Sequence, residues 1–372
     1  MTESSKPRSN LKVQELCALL RELAFQKGPG AKLPTTRELC EQFNTTPATL
    51  NDALKELESQ NIIYCKLRSG IFVSPKLYRK SICTLFYADL FPTGAGTSPF
   101  WGIFWSLFAR EVERRSETRN EYHTFHFVLD RSATDLDLPE EVVRMIEAGN
   151  IHGILAAGMQ MPTFNWLTKH KIPSVSYAGL GTCMVNTDSI NQTQLAVAQL
   201  AEQGCQSLAL WMPKSLQVEL EADPCVEYFS TAMSTHGLTF DPQLVRAGGP
   251  FSTNKWRTDY QEQGYQLTLQ VFEKGALPRP DGIFITDDMM TTGVLEALSE
   301  LNIRVGVDVQ IVSHANAGSP TLFRQTKRLS IVEIDPVVIV QTMFALLDQL
   351  MAGQTLEQQR VMIPSTLKKI QL

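Results

Sequence analysis

From Ile82 to Ser313 the chain alternates short apolar, β-rich runs with stretches of helical periodicity. That alternation restricts the fold more than any other feature. Strands are predicted at Ile82–Tyr87, Thr124–Leu129, Gly153–Ala157 and Ser174–Tyr177, with helices near 99–115, 139–148 and 162–170. A second series follows: a strand at Ser207–Trp211, a helix near 225–236 and a strand at Leu244–Ala247. A helix near 258–274, a strand at Gly282–Thr286, a helix near 289–301 and a strand at Val309–Ser313 complete it. Strands joined through helices by short connections form parallel, doubly wound sheets. Two such series predict an α/β body of two lobes, with ligands beyond the carboxyl ends of the strands and therefore in a cleft.

At 372 residues the chain is longer than one ordinary domain of roughly 150 residues. Its N-terminal part follows a different pattern. Val13, Leu16, Cys17, Leu20, Leu23 and Ala24 recur at helical spacing, predicting an amphipathic helix over 11–27 that Gly28-Pro29-Gly30 stops. Thr35 and Glu38 have capping-box spacing for a short helix burying Leu39, Cys40 and Phe43 and ending at Asn44. Thr46 caps a third helix with Pro47 at its first position, where the missing N–H costs nothing. Its stripe of Leu50, Ala53, Leu54 and Leu57 is buried, leaving Thr49, Asn51, Asp52 and Lys55 outside. Two helices around a tight turn form a helix-turn-helix. Ile62–Lys66 and Ile71–Val73, joined through Leu67–Gly70, add a hairpin wing with Lys66 and Arg68 near its tip.

Charge divides the same way. Residues 1–80 hold 13 basic and 8 acidic side chains, net +5, against 21 and 31, net −10, in the remainder. The overall −5 therefore hides a basic module suited to a polyanion on an acidic body. The basic stretch Ser74–Lys80, with Pro75, marks the boundary: a winged helix-turn-helix domain over 1–74, a linker over 75–81 and a two-lobed domain over 82–372.

Lys32–Leu39, Thr46–Leu57 and Gly70–Val73 resemble, in order and spacing, the DNA-binding domain of GntR-type bacterial transcription regulators. The resemblance implies that Arg37 grips phosphate, that Thr46, Thr49 and Asn51 enter the major groove, and that Lys66, Arg68 and the Gly70 backbone reach the DNA from the wing. Pro47 and Asn51 stand where the family usually has arginine. This weakens the phosphate grip and shifts base preference, since Arg reads guanine and Asn favours adenine. A winged helix that contacts only protein is the alternative reading.

In the body, Asn186-Thr187-Asp188 with its following helix, Phe284–Leu298 and Gly306–Val312 are similar to lac-repressor-type effector domains, which are related to periplasmic sugar-binding proteins. With the GntR-type head, the whole resembles the architecture of arabinose-responsive repressors. The resemblance implies an effector site of Ser98, Phe100, Asp188, Trp211, Asp288 and Asn316, with Phe100 a stacking platform and Trp211 facing the cleft. It implies a hinge near 187–191 and 313–319. The stripe Trp101, Phe104, Trp105, Phe108 and Val112 fits core or a dimer face better than a ligand site. Cys225 and Ala315 fall where the family carries an arginine and an aspartate. Two readings of those losses stay open: an altered ligand, or a pocket that has lost its ligand and serves dimerisation.

Other chemistry lacks motifs. Gly94-Ala95-Gly96 has no third glycine or following Lys-Ser/Thr, so it is no phosphate loop. His123 and His126 point to opposite faces of a strand and make a poor metal pair. No residue pattern supports catalysis, a cofactor or a metal. The polar start Met1–Asn10, seven cysteines without a CxxC and the absence of long apolar runs predict a cytoplasmic protein free of membrane. The expectation is a regulator, a repressor in mode, on palindromic double-stranded operator DNA: a homodimer controlled by a small polar effector such as a sugar or sugar derivative. The alternative is a cytosolic ligand-binding or scaffold protein.

Overall fold

The computed structural model describes residues 6–75, 77, 79–87, 99–119, 121–128, 136, 138–213, 220, 223–248, 260–273, 277–322 and 328–369, with backbone alone for 6–11. Ser98, the Gly94–Gly96 segment, Lys76 and Tyr78 of the linker, Leu129 and helix positions 258, 259 and 274 lie outside the described residues. The chain divides into two compact units. One comprises Met1–Ile82, Glu113–Thr124 and Glu141–His152; the other comprises Cys83–Val112, Phe125–Glu140 and Gly153–Leu372.

The first unit opens with α1 (Lys6–Lys27), five residues longer than its apolar periodicity predicts, then α2 (Thr36–Gln42) and α3 (Pro47–Ser59). Thr35 and Glu38 form the reciprocal capping box, and the Thr46 hydroxyl accepts from the Thr49 amide. Asn44, in the left-handed region at φ 45°, makes the sharp turn between α2 and α3, a conformation asparagine tolerates better than most residues. Leu16, Leu20, Leu39, Leu50, Leu54 and Leu57 meet in one core, each leucine contributing on the order of 1.5–3 kcal/mol by burial. Cys40 and Phe43 are only partly buried at its edge. The wing pairs β1 (Ile63–Lys66) antiparallel with β2 (Gly70–Val73), in register from Ile63↔Val73 to Lys66↔Gly70. Lys32 bridges the outer side of β2 opposite Phe72.

The remaining elements build two six-stranded sheets. One has the order β13-β7-β6-β5-β3-β4. Its strands are β3 (Lys80–Tyr87), β4 (Glu121–Val128), β5 (Gly153–Ala157), β6 (Ser174–Tyr177), β7 (Cys183–Thr187) and β13 (Arg360–Ile363). Between these strands run α4 (Phe100–Thr118), α5 (Glu140–Glu147) and α6 (Met161–Lys169). The other sheet has the order β14-β12-β11-β10-β8-β9. Its strands are β8 (Leu208–Met212), β9 (Val245–Ala247), β10 (Gly282–Ile285), β11 (Gln310–Asn316), β12 (Ser330–Ile334) and β14 (Thr366–Lys368). Its helices are α7 (Ser189–Glu202), α8 (Pro224–Thr235), α9 (Tyr260–Thr268) and α10 (Asp288–Glu300), with a π-helical turn at Leu269–Glu273.

The second sheet is wound on both faces. Ala209, Trp211, Ile283, Ile285 and Ile311 face Leu267, Met290 and Val294 of α9 and α10. Leu208, Leu210, Phe284 and Val312 face Val197, Leu200, Phe229 and Met233 of α7 and α8. Burial on both faces explains why these strands read as continuous apolar runs. β5, β6, β7 and β13 pair in parallel as expected, as do β9, β8, β10, β11 and β12, whereas β14 runs antiparallel to β12.

Five elements escape the sequence pattern: β7, β12, α11 (Pro336–Met351), β13 and β14. They relocate the hinge. The chain passes between sheets at Thr187–Ser189, at Ile334–Pro336, where β12 gives way to α11 packed over β5, β6 and β7, and at Ile363–Thr366. The expected passage at 313–319 is corrected: that segment ends β11 and stays with the second sheet, because β12 follows as one more parallel strand there.

Candidate DNA-binding surface and effector site

On the head, Arg37 projects from the first turn of α2 with its side chain 90% exposed, in an i,i+4 ion pair with Glu41 at 3.2 Å. The pair is solvated, so the guanidinium can exchange this partner at small cost. Thr46 Oγ1 lies 2.9 Å from Thr49 Oγ1, joining the two hydroxyls at the start of α3; Asn51 is exposed one turn further on. Lys66 and Arg68 flank the wing turn. Arg68 sits at φ 60° and Gly70 at φ 116°, where a Cβ would lie 2.9 Å from Lys32 Cε. All seven expected DNA-contact residues are on the surface elements the resemblance implies.

The expected effector residues are more dispersed. Asp188 caps α7, its carboxylate accepting from the Asn191 amide at 2.9 Å. Phe100 is buried, stacked on Phe104 (centroids 5.5 Å) and tilted against Tyr177. It is part of an aromatic core and not an open platform. Trp211 likewise corrects its expectation. It is fully buried among Leu244, Leu267 and Val271 with its edge to Phe272, because the apolar face of β8 is covered by the α9 segment. Phe104, Phe108 and Val112 of the aromatic stripe are core, and Trp101 and Trp105 half-buried.

Polar groups do converge at the carboxyl ends of β10 and β11. Asp287 caps α10 by accepting from the Met290 amide at 2.9 Å. Asp288 is fully buried and accepts from the Ser319 hydroxyl at 2.9 Å; the Ser319 amide donates to the Asn316 carbonyl at the same distance. Thr291 and Ser313 share a 2.7 Å hydroxyl contact. Asp288 and Asn316 thus meet through Ser319, a residue sequence reasoning missed. Ala315 is core, and the Cys225 thiol is pushed up to about 12, burial being the main cause and Asp223 the second. The crossings are knit into the same region. Asn191 Oδ1 accepts from the Ser365 amide at 2.9 Å, and the Gln192 amide meets the His314 ring.

Two buried donors stand out on the neighbouring strands. Trp211 and Arg246 are register partners on β8 and β9 and so share one sheet face. The indole N–H and the guanidinium Nε and Nη2 are buried with no hydrogen-bond partner among the described residues. Burial lowers the Arg246 pKa, with Asp241 opposing it. Donors without acceptors suit an ordered water or an acceptor-rich ligand. Only a conspicuous arginine on an otherwise apolar strand could have flagged this site in the sequence.

Burial, then the Asp288 charge, raises the Asp287 pKa to about 7. Its contribution to stability is full in the acid range, where folded and unfolded forms are both protonated, and is lost as pH rises through about 7. His314 runs oppositely. Burial holds its pKa near 4, so stability is lost as pH falls from the usual histidine range toward that value. Asp287→Asn keeps the capping oxygen and removes the charge. The variant should match the parent's thermal midpoint at about pH 3, below the ordinary aspartate value of 3.8, and exceed it by ~2 °C or more at pH 8, the shift about 1 kcal/mol gives in a domain of this size. Equal midpoints at pH 8 would contradict an ionisable Asp287. No group of three or more His, Cys, Asp or Glu able to hold a metal occurs among the described residues, and no described helix is long and apolar enough to cross a membrane.

Residues 8–73 match the bacterial regulatory proteins of the gntR family, and residues 197–369 match the periplasmic binding protein-like domain. The chain thus carries a gntR-type module over 8–73 and a periplasmic binding protein-like domain over 197–369. It is similar to the HTH-type transcriptional regulator GalR of Streptococcus thermophilus, 31% identical over 133 residues, which is 35% of this chain. It spans only 37% of the length of that relative. Catabolite control protein A of Staphylococcus epidermidis is 22% identical over 269 residues, covering 70% of this chain and 75% of that one. A solved regulatory protein of the LacI family from Chloroflexus aggregans superposes with TM-score 0.61 at 19% identity, covering 77% of this chain and 96% of that chain.

Proposed function

We propose that this chain is a bacterial, cytoplasmic transcription regulator, a repressor in mode, that binds operator DNA as a homodimer and releases or grips it in response to a small polar effector. The observation that carries the reading is the head: a capped α3 presenting Thr46, Thr49 and Asn51, between exposed Arg37 and a wing tipped by Lys66 and Arg68. Residues 1–74 would act as the DNA-binding domain, 75–81 as the linker and 82–372 as the effector and dimerisation domain. Two heads on one dimer read half-sites about 10 base pairs or multiples apart, so the operator is palindromic.

The effector site in this reading lies at the strand ends around Asp287, Asp288, Ser319 and Asn316, with Asp188 beside the first crossing. The unpaired donors of Trp211 and Arg246 favour an acceptor-rich ligand, such as a sugar acid or a phosphorylated sugar, over a simple neutral sugar. A ligand that closes the two sheets about the three crossings changes the spacing of the heads. Its leverage is its differential affinity for the two states, ~1–3 kcal/mol.

A mobility-shift assay with the full chain and the duplex upstream of its own gene tests the reading. A retarded complex that weakens steeply with salt is expected. Absence of any salt-sensitive complex, there or with duplexes selected from a random pool, would favour a head that contacts protein. Thermal-shift screening across sugars, sugar acids and phosphorylated sugars tests the pocket; no stabilisation by any of them would favour a body used for dimerisation alone.

A further inference from the structure

The wing carries an apolar tip that the DNA-binding reading does not use. Leu67 is 88% exposed, more than any other large hydrophobic residue described. It sits at the first corner of a turn closed by the Ser69 amide donating to the Lys66 carbonyl at 2.9 Å, with Arg68 in the left-handed region at φ 60°. A non-glycine residue adopts that conformation at a cost, so the turn is a defined shape that holds Leu67 outward. The hairpin behind it is stiff. Tyr64 stacks on Phe72 with centroids 5.5 Å apart, Lys32 Nζ lies over the Phe72 ring 5.8 Å from its centroid, and the Cys65 amide donates to Glu58 Oε1 of α3 at 3.0 Å. Lys66 and Arg68, immediately on either side of Leu67, supply two positive charges.

A basic–apolar–basic tip on a rigid ribbon fits one surface well: phosphates flanking a narrow groove with apolar base faces inside. We infer that Leu67 is a minor-groove wedge, entering between two base pairs while Lys66 and Arg68 hold the phosphates on either side. Apolar side chains that enter this way unstack a base step and bend the duplex. Pyrimidine–purine steps open most readily, so the wedge adds sequence preference at a step the protein reads by deformability alone. Leu67 is thus a specificity-determining residue, separate from the base-reading start of α3. The inference rests on the DNA-binding reading.

The test uses the full chain and duplexes it selects from a random pool, with donor and acceptor fluorophores at the duplex ends. Leu67→Ala is expected to lose about tenfold in affinity for the selected duplex, to bend it less, and to keep its salt slope. Lys66→Ala is the contrast: its salt slope falls by about one. The selected duplexes should carry TA or CA/TG steps at the wing position. Because Leu67 is 88% exposed, the alanine variant keeps the parent's melting temperature. Unchanged affinity and bend in Leu67→Ala overturn the wedge, as does an equal loss on unselected DNA. Failure of the parent itself to bind any duplex overturns the DNA reading along with it.

Discussion

Gly293→Ala should leave the body without a stable second sheet layer. Gly293 of α10 lies against α9 so closely that a Cβ would stand 1.8 Å from the Gln261 carbonyl oxygen, 2.7 Å from its carbon and 2.9 Å from the Tyr265 amide. The contact is reciprocal: a Cβ on Gly264 of α9 would stand 2.1 Å from the Met290 carbonyl oxygen. These are backbone atoms held by helical hydrogen bonds, so no rotamer change relieves the clash. Separating the helices would open the layer that Leu267, Val271, Met290 and Val294 fill. Overpacking usually costs ~1–3 kcal/mol where side chains can yield, and here the cost should exceed ~3 kcal/mol. The expected result is an insoluble chain or a thermal midpoint lowered by ~10 °C or more. Gly102→Ala is the control. Among the described residues no atom outside its own helix backbone and chain neighbours lies within 4 Å of its Cβ position, and alanine inside α4 should be neutral or stabilise by ~0.5–1 kcal/mol. A Gly293→Ala midpoint within 2 °C of the parent would show that α9 and α10 can part freely.

The second large effect falls on DNA affinity. Arg37→Ala removes a guanidinium that is 90% exposed and is paired with the solvated Glu41 carboxylate. Folding should be indifferent, because surface pairs of this kind contribute ~0–1 kcal/mol. Affinity should fall by about tenfold or more per head on every duplex alike, with the salt slope reduced by about one per head, since a charge-assisted phosphate contact is worth ~1.5–3 kcal/mol and carries no sequence information. Asn51→Ala should behave differently, relaxing preference at one base pair while leaving the salt slope in place. A uniform loss from Asn51→Ala would contradict its base-reading role, and a sequence-selective loss from Arg37→Ala would contradict its role on phosphate.

Local chemistry was the legible part. The Thr35–Glu38 box and the Thr46-Pro47 start are decided within four residues, and both helices begin where those residues say. β5 and β6 also fall on their expected bounds, since each is a short apolar run between polar turns. What the pattern could not carry was non-local. Whether Asp188 touches ligand or caps a helix depends on where α7 points, and whether Trp211 lines a cleft or fills a core depends on which helix covers β8. Helix α11 is apolar over most of its circumference and so lacks the two-sided contrast that flags amphipathic helices. Missing α11 and β12 displaced the second crossing by one strand.

The three crossings also order the birth of the molecule. β8 to β12, the five neighbouring strands of the second sheet, are complete once residue 334 has been synthesised. The first sheet begins earlier in the chain, yet it waits longer. The helix that covers β5 to β7 starts at Pro336, and the strand that pairs with β7 ends at Ile363. A ribosome therefore releases the later-encoded lobe with five of its six strands in place while the earlier one still lacks both its β13 edge and the helix that covers its apolar face. Exposed edges of that kind are where nascent chains stick to one another. A truncation just short of residue 336 would leave that apolar face bare permanently, so chaperone demand during synthesis should be concentrated on the first lobe, the part of the body made first and covered late.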